Sequence, residues 1–412
     1  MKLSEELQIR GFINQFTAET LEEIVDGPKR TIYHGIDPTA DSAHAGNFVI
    51  WLLLAHLARN GHAVIFLVGG GTGMIGDPKP DVERTLTSPE IVAERVEKLK
   101  VQAQKLLGDN EIQFVNNYDW LGKLNLIDFL RDTGKHFTVN ELIKKDAIAT
   151  RLAGEQGISY TEFAYPLLQA YDYLTLSREY GCDVQVGGSD QWGNIVAGVD
   201  LIRRVEKKTT YAITVPLVVD KATGKKFGKS EGNAVWLDAE KTTPYVFYQF
   251  WLNTSDESVV DYLKLFTFLP IEEINEIKIE FQTSPGSRSA QKKLAAEVTT
   301  LVHGKDSAES AIKVSDILFA NGDASVLHSE EKEILLQNAP TYEIISDVTI
   351  TDVLVNSGLA SSKREARTFI ESGAVTLGTE KIELSEFQIE LSSGGLIPLR
   401  RGKKNFVILF KK

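Results

Sequence analysis

One cysteine among 412 residues, Cys182, excludes a disulfide framework and a thiolate-rich zinc site. Long apolar runs are missing too. The longest, FVIWLLLAHLA from Phe48, holds eleven residues and a histidine, too short to span a bilayer. The first residues, MKLSEELQIRGF, are charged and amphipathic with no signal-peptide core, so a soluble cytoplasmic protein is expected. Positive charge is in deficit: 45 Lys and Arg stand against 57 Asp and Glu, net −12. That balance disfavours a general binder of DNA, RNA or membrane surfaces. The deficit is uneven, with ten basic against eight acidic residues over 347–412 and 35 against 49 in the remainder. A mildly basic tail on an acidic body suits local contact with a polyanion. There is no internal repeat and no low-complexity tract.

The length implies two or three domains, and 42% hydrophobic with 25% charged residues can fill a sizeable core. Strand-like runs (RTIYHGID, HAVIFLVGG, EIQFVNN, DVQVGG, AITVPLVV) alternate with helical patterns such as NFVIWLLLAHLARNG and SPEIVAERVEKLKVQAQKLLG. That alternation predicts an α/β fold with a parallel sheet and helices on its faces. Ligands of such sheets bind at the carboxyl ends of the strands, here after Tyr33, Val68 and Val186. From about Pro244 to Ala320 the pattern is helical, 321–346 reads as a linker with one helical piece, and a compact unit follows. In that unit Ser362-Lys363-Arg364-Glu365 fits a capping box, and Gly358 and Gly373 suit helix C-termini.

GGGTGMIGDPKP from Gly69 spells GxGxxG behind an apparent strand, the fingerprint of a dinucleotide loop. That fingerprint needs a helix opening at its last glycine, and Pro78 and Pro80 bias Asp77 and Lys79 away from helical geometry. The loop is better read as a close backbone approach that delivers Asp77.

HAGN, His44 to Asn47, stands at the mouth of the next helix, where free N–H groups and the positive dipole end suit phosphate. An imidazole can donate to phosphate there, and Gly46 leaves room for a flat adenine; simple helix capping explains the tetrapeptide equally well. GKKFGKSEGN, 224–233, misses the P-loop spacing by one residue. It reads either as a lysine-bearing surface turn or as a loop whose Lys226 and Lys229 meet charge on a departing pyrophosphate. Tyr165, Gln169 and Asp172 at i, i+4 and i+7 share one helix face. Pro166 suggests that this helix starts close by, with Tyr165 at its rim.

HAGN and KFGKS together resemble the two signatures of class I aminoacyl-tRNA synthetases. YPLLQAYDYL, QVGGSDQWGN and TADSAHAGN preceded by Tyr33 narrow the resemblance to bacterial tyrosyl-tRNA synthetases, and the C-terminal unit is similar to an S4 RNA-binding module. The resemblance implies a Rossmann-like catalytic domain over 1–235 with a connective insertion at about 110–160. It further implies an α-helical anticodon-side domain over 236–320, the linker, and a small α+β S4-like domain over 347–412.

The resemblance also implies roles. Tyr33 and Asp172 would hold a tyrosine hydroxyl; Tyr165, Gln169 and Asp77 its ammonium; Gln191 its carboxylate. Gly35, Gly46, Gly187 and Ser230 would line the ATP site, with Asp190 on the ribose and Asp37 near the α-phosphate. Thr39 and His44 would meet the pyrophosphoryl end under Lys226 and Lys229, and Asn47 would donate to a ribose oxygen. Lys363, Arg364 and Arg367 would contact RNA. ATP with Mg²⁺ is implied as substrate, with no organic cofactor and no protein metal site. The implied partners are L-tyrosine, tRNA(Tyr) and a second copy of the chain through about 125–165. GDPKPDVER departs from the family pattern, which leaves Lys79 and Arg84 without assigned roles. Alternatives are a tryptophanyl-type synthetase and a catalytically inactive RNA-binding protein that keeps the S4-like module.

Overall fold

The five sequence-predicted runs become parallel strands. The computed structural model describes residues 1–411 except 80–82, 84–85, 109–111, 155–156, 220, 222–223, 225–226, 228, 231–232, 321, 346–347 and 403–404. Strands β1 (Gln15–Phe16), β2 (Thr31–Ile36), β3 (Ala63–Val68), β4 (Ile112–Asn116), β5 (Val184–Gly188) and β6 (Tyr211–Val215) form one sheet in the order β1-β6-β5-β2-β3-β4. β2 to β6 run parallel. The short β1 carries no apolar run of its own and joins β6 antiparallel. The chain builds outward from β2 to β4, then crosses back to lay β5 on the other flank of β2. Such a switch leaves a crevice at the carboxyl ends of β2 and β5.

Helices α1 (Ala45–Arg59), α2 (Pro89–Leu107), α3 (Tyr160–Glu179) and α4 (Trp192–Glu206) accompany this sheet. The longest apolar run of the sequence is the middle of α1, buried from Phe48 to Leu57. That is a core helix, as a continuous apolar surface requires. Tyr33 and Ile65 of the sheet share a core with Ala170, Tyr173 and Leu174 of α3 and with Leu201 and Ile202 of α4.

One expectation is corrected. α3 begins at Tyr160, six residues before Pro166, with the Ser159 side chain accepting from the Glu162 N–H at 3.3 Å. The proline lies inside the helix. Its lost hydrogen bond is offset because Tyr165, Pro166, Leu167 and Ala170 are all buried.

The chain divides into two compact units, Met1–Thr242 with Leu252–Val298, and Thr243–Trp251 with Thr299–Lys412. The first also holds the ribbon of β7 (Lys229–Ser230) and β8 (Asn233–Ala234). In the second, α5 (Lys305–Phe319) precedes β9 (Thr341–Glu343), β10 (Val348–Thr349), α6 (Lys363–Glu371), β11 (Val375–Leu377), β12 (Glu380–Lys381), β13 (Gln388–Ile389), β14 (Leu396–Arg401) and β15 (Asn405–Phe410). Five of these strands form a sheet in the order β12-β11-β14-β15-β9, and β10 pairs with β13. Its core gathers Ile344, Ile350, Val353, Leu354, Ala366 and Ile370 against Val375, Leu399 and Val407. Thus 321–346 contributes a strand and Ile344 to this sheet and core. Ser362 caps α6, with the Glu365 N–H donating to its Oγ, while Gly358 and Gly373 take positive φ. Among the described residues no helix is long and apolar enough to cross a membrane.

Candidate active site

A cavity of about 440 Å³ opens at the carboxyl ends of β2 and β5, where the topology predicts a crevice. β2 and the loop behind it bring Tyr33, Gly35, Asp37 and Thr39 to its wall. The start of α1 brings His44, Gly46 and Asn47; the glycine loop brings Asp77; α3 brings Tyr165, Gln169 and Asp172; β5 and its following turn bring Gly187, Asp190 and Gln191. Lys226 and Arg84 lie outside the described residues, and Lys229 and Ser230 are described by their backbone alone. Lys79 is exposed and does not line the cavity.

Tyr33 and Asp172 form a buried polar pair in the cavity wall. Both are buried, and Asp172 accepts from Asn117 Nδ2 at 2.9 Å and from Trp120 Nε1 at 2.8 Å. Burial drives the Asp172 carboxyl up to about 7, against the pull of those two donors. Burial and the neighbouring Asp172 likewise hold the Tyr33 phenol well above its ordinary range. Tyr33 Oη, Gln169 Oε1 and Gln185 Oε1 are buried without a hydrogen-bond partner among the described residues. Buried polar atoms are rarely left so in a protein interior. Three around one cavity mark a wall shaped for a polar ligand.

A hydrogen-bonded chain runs from Asp172 through Asn117 and Thr72 to Asp37. Asn117 Nδ2 also donates to Thr72 Oγ1 at 2.8 Å, and Thr72 Oγ1 donates to Asp37 Oδ1 at 2.7 Å. The Tyr165 hydroxyl donates to the other oxygen, Asp37 Oδ2, at 2.8 Å. The glycines behind β3 serve this chain directly. A Cβ on Gly69 would stand 2.1 Å from Asp37 Oδ1 and 2.4 Å from Thr72 Oγ1. Gly71 N–H donates to Asn117 Oδ1 at 2.7 Å. The close approach read from the sequence is therefore made to Asp37 and Asn117, and Gly76 at φ 84° turns the backbone into Asp77. Arg95 of α2 braces the loop behind β2, donating to the carbonyls of Pro38 at 3.3 Å and Thr39 at 3.1 Å.

Asp77 is held by a second set. Gln191 Nε2 donates to Asp77 Oδ2 at 2.8 Å and Asn194 Nδ2 to Asp77 Oδ1 at 3.2 Å.

At the start of α1 the capping reading of HAGN is realised, and its geometry is compatible with the phosphate reading. His44 is the N-cap, its Nδ1 accepting from the Gly46 N–H at 3.0 Å, while Asn47 Oδ1 accepts from the His44 N–H at 3.2 Å. In the neutral ring the proton then sits on Nε2, so a capping histidine still presents a donor. A Cβ on Gly46 would lie 2.8 Å from the His44 ring and 3.4 Å from the Phe227 carbonyl, so glycine lets both crowd this helix end. The segment that follows the second signature also bonds to this helix end through the backbone. Ala45 N–H donates to the Val235 carbonyl at 2.8 Å and Leu237 N–H to the Ala43 carbonyl at 2.9 Å. Trp236, between them, lines the cavity.

The family model of class I tRNA synthetases (W and Y) matches residues 27–320. The chain belongs to this family. The C-terminal residues 331–409 of this synthetase match the tyrosine--tRNA ligase SYY-like C-terminal domain. It is 46% identical over 420 residues to a tyrosine--tRNA ligase of Streptococcus mutans, covering 99% of this chain and 100% of that one. It is 48% identical over 418 residues to tyrosine--tRNA ligase 2 of Enterococcus faecalis, covering 98% of each. A solved structure of a C-terminally truncated mitochondrial tyrosyl-tRNA synthetase from Aspergillus nidulans matches with TM-score 0.70 and 32% identity, over 77% of this chain and 94% of that one.

In the synthetase's C-terminal module Lys363, Arg364 and Arg367 are exposed on α6. Lys363 pairs with Asp352 at 2.6 Å and Arg367 with Glu386 at 3.8 Å. Sequence reasoning missed Thr72, Asn117, Trp120, Gln185, Asn194 and Arg95. VNNYDW at the end of β4 carried a usable signal, since ligand-side residues follow strand ends.

Proposed function

We infer that the chain is a tyrosine--tRNA ligase that activates L-tyrosine with ATP to tyrosyl-adenylate and passes tyrosine to the 3′ end of tRNA(Tyr). The carrying observation is a buried phenol and a buried carboxylate in the wall of one cavity, Tyr33 and Asp172. Two polar groups side by side suit a substrate hydroxyl, whereas an indole offers a single N–H donor. Tyr165, Gln169 and Asp77 take the ammonium and Gln191 the carboxylate.

ATP lies across Gly35, Gly46, Asn47, Gly187 and Asp190, with Ser230 in the closing segment. Asp37 stands beside the α-phosphate, while Thr39 and His44 meet the pyrophosphoryl end with Lys226 and Lys229. No covalent enzyme intermediate is needed. Binding both substrates in line supplies proximity, and fixed donors and cations stabilise charge developing on the leaving pyrophosphate. Among the described residues no group of three or more His, Cys, Asp or Glu is placed to hold a metal ion. Mg²⁺ would enter with ATP, held by the phosphates and water rather than by a dedicated protein cage.

The chain works as a homodimer in the cytoplasm. Supporting the dimer, Leu126, Ile127 and Val139 are 67%, 67% and 62% exposed, and Leu130, Leu152 and Tyr160 are exposed as well. Such a concentration of apolar surface marks an interface. The catalytic domain covers 1–235 with its connective insertion at about 110–160. A helical anticodon-side domain (236–320), a linker (321–346) whose end packs with the next unit through β9 and Ile344, and an S4-like module (347–412), with Lys363, Arg364 and Arg367 on the RNA, follow it. Amino-acid-dependent exchange of labelled pyrophosphate into ATP tests the reading. Exchange is expected with tyrosine and not with tryptophan or phenylalanine, and exchange driven by tryptophan would overturn it.

A further inference from the structure

We propose that Lys145 is a positioning residue for the ammonium site, acting through Asn194 on Asp77 and Gln191. The inference rests on the tyrosine-activating reading above. Lys145 lies between the short helices Val139–Leu142 and Asp146–Ala153, in the stretch read as the connective insertion. Its ammonium reaches the first turn of α4, donating to the Gly193 carbonyl at 2.7 Å and to Asn194 Oδ1 at 3.1 Å. The other end of the Asn194 amide donates to Asp77 Oδ1 at 3.2 Å and Gln191 Oε1 at 3.3 Å.

These partners leave Asn194 one orientation. An ammonium only donates and an ionised carboxylate only accepts. A reversed amide would set donor against donor at Lys145 and acceptor against acceptor at Asp77. Lys145 thereby fixes which atom faces Asp77, and Gln191 is held in the same frame from two sides, through its own bond to Asp77 and through Asn194. Its charge acts in the same sense: burial draws the ammonium down to about 8 while the Asp77 carboxylate pulls it back up.

Lys145 lines a second cavity of about 660 Å³ and not the first, whereas Asp77 and Asp190 line both. It orders the ammonium site without standing in the substrate's own cavity. A purely architectural lysine would instead tie the connective stretch to α4 and leave substrate binding alone.

Pyrophosphate exchange by the full chain, with tyrosine and ATP varied separately, distinguishes these roles. Lys145→Met and Asn194→Ala should each raise the tyrosine KM about tenfold, the scale of one hydrogen bond to a charged group. The ATP KM and kcat should stay within about twofold of the parent. The double variant should be no worse than the worse single one, because both changes break one network. Lys145→Arg, which keeps the charge and two donors, should recover most of the affinity.

An unchanged tyrosine KM, an additive double variant, or tyrosine and ATP KM rising together would overturn the inference. Should Lys145→Met melt early, Asn194→Ala decides alone by the same tyrosine and ATP readouts. A parent chain inactive with tyrosine would overturn the functional reading and this inference with it. An active parent with an unaffected Lys145→Met overturns only the inference.

Discussion

The Tyr165 hydroxyl donates to Asp37 Oδ2 at 2.8 Å, joining α3 to the loop behind β2 across 128 positions of sequence. Burial and the adjacent Asp37 carboxylate hold the Tyr165 phenol well above its ordinary range, so it donates throughout the physiological pH span. In the functional reading the two residues serve different substrates, Tyr165 the tyrosine ammonium and Asp37 the α-phosphate. Their bond couples the two halves of the cavity.

Tyr165→Phe removes that donor from a charged acceptor. The tyrosine KM in pyrophosphate exchange should rise about tenfold or more, the scale of a charge-assisted hydrogen bond. Thr72 still holds the other Asp37 oxygen. The ATP KM should therefore change less than the tyrosine KM. Equal changes would mean that the phenol supports the loop behind β2 rather than the amino acid.

Asp172 gives a pH signature. Its carboxyl is pushed up to about 7 by burial, so the folded chain binds a proton that the unfolded chain releases in the ordinary carboxylate range. That contribution to stability is fully present at pH below about 4, falls as pH rises, and is gone once pH passes about 7. The stability of the parent relative to Asp172→Asn, from urea unfolding at several pH values, should fall over that window and level off above it. Trp120→Phe deletes a donor that favours the carboxylate and should move the upper end of the window to higher pH. A gap independent of pH would mean that Asp172 is ionised throughout.

The sequence-predicted residues that the fold gathers around one cavity are those whose pattern is local. Tyr165, Gln169 and Asp172 share a helix face by spacing, and Asp37, Asp77 and Asp190 follow strand ends. For Asn117 and Trp120 their place after β4 is legible but their task is not, because the Asp172 that they hold lies 55 and 52 positions away. Asn194 was passed over for the same reason, its partners Asp77 and Lys145 lying on other segments. Pro166 misled because local propensity was weighed without tertiary burial. The surrounding apolar contacts outweigh one missing helical hydrogen bond. β1, two residues long and at the sheet edge, has no pattern to read.

Lys229→Ala should slow adenylate formation by roughly 10²–10³, the scale for one positioned electrostatic group in a water-excluded site. Phe227, two residues earlier, lines the cavity, and its carbonyl crowds Gly46 at the start of α1. That contact puts the segment leading to Lys229 at the start of α1, which the functional reading gives to the pyrophosphate. Equilibrium binding of tyrosine without ATP should be unchanged. A parallel loss of tyrosine affinity would assign the lysine to substrate binding instead of the transition state.

Removal of residues 340–412 should abolish charging of tRNA(Tyr) while tyrosyl-adenylate formation continues. The cut belongs before β9, because β9 pairs with β15 and Ile344 lies in the same core; a cut at 347 would strand both. The module carries Lys363, Arg364 and Arg367 exposed on α6. Its ion pairs Lys363–Asp352 and Arg367–Glu386 are exposed surface pairs that contribute little, so phosphates can displace the acids. tRNA affinity of the full chain should accordingly fall with added salt, and Lys363→Ala with Arg367→Ala should flatten that slope by about two ions. Some stability will be lost with the module. Arg400 donates to the Leu318 carbonyl at 2.9 Å and also to Ile317, covering the C-terminal end of α5. Losing a cation at a helix C-terminus costs about 0.3–1 kcal/mol, up to ~2 where partly buried, too little to unfold the catalytic unit. Adenylate formation and thermal melting measured on the same truncated chain separate the outcomes. Activation kept and charging lost supports a tethered RNA-binding module. Activation lost together with early melting would make the module a structural prop, and charging retained at full rate would remove it from RNA recognition altogether.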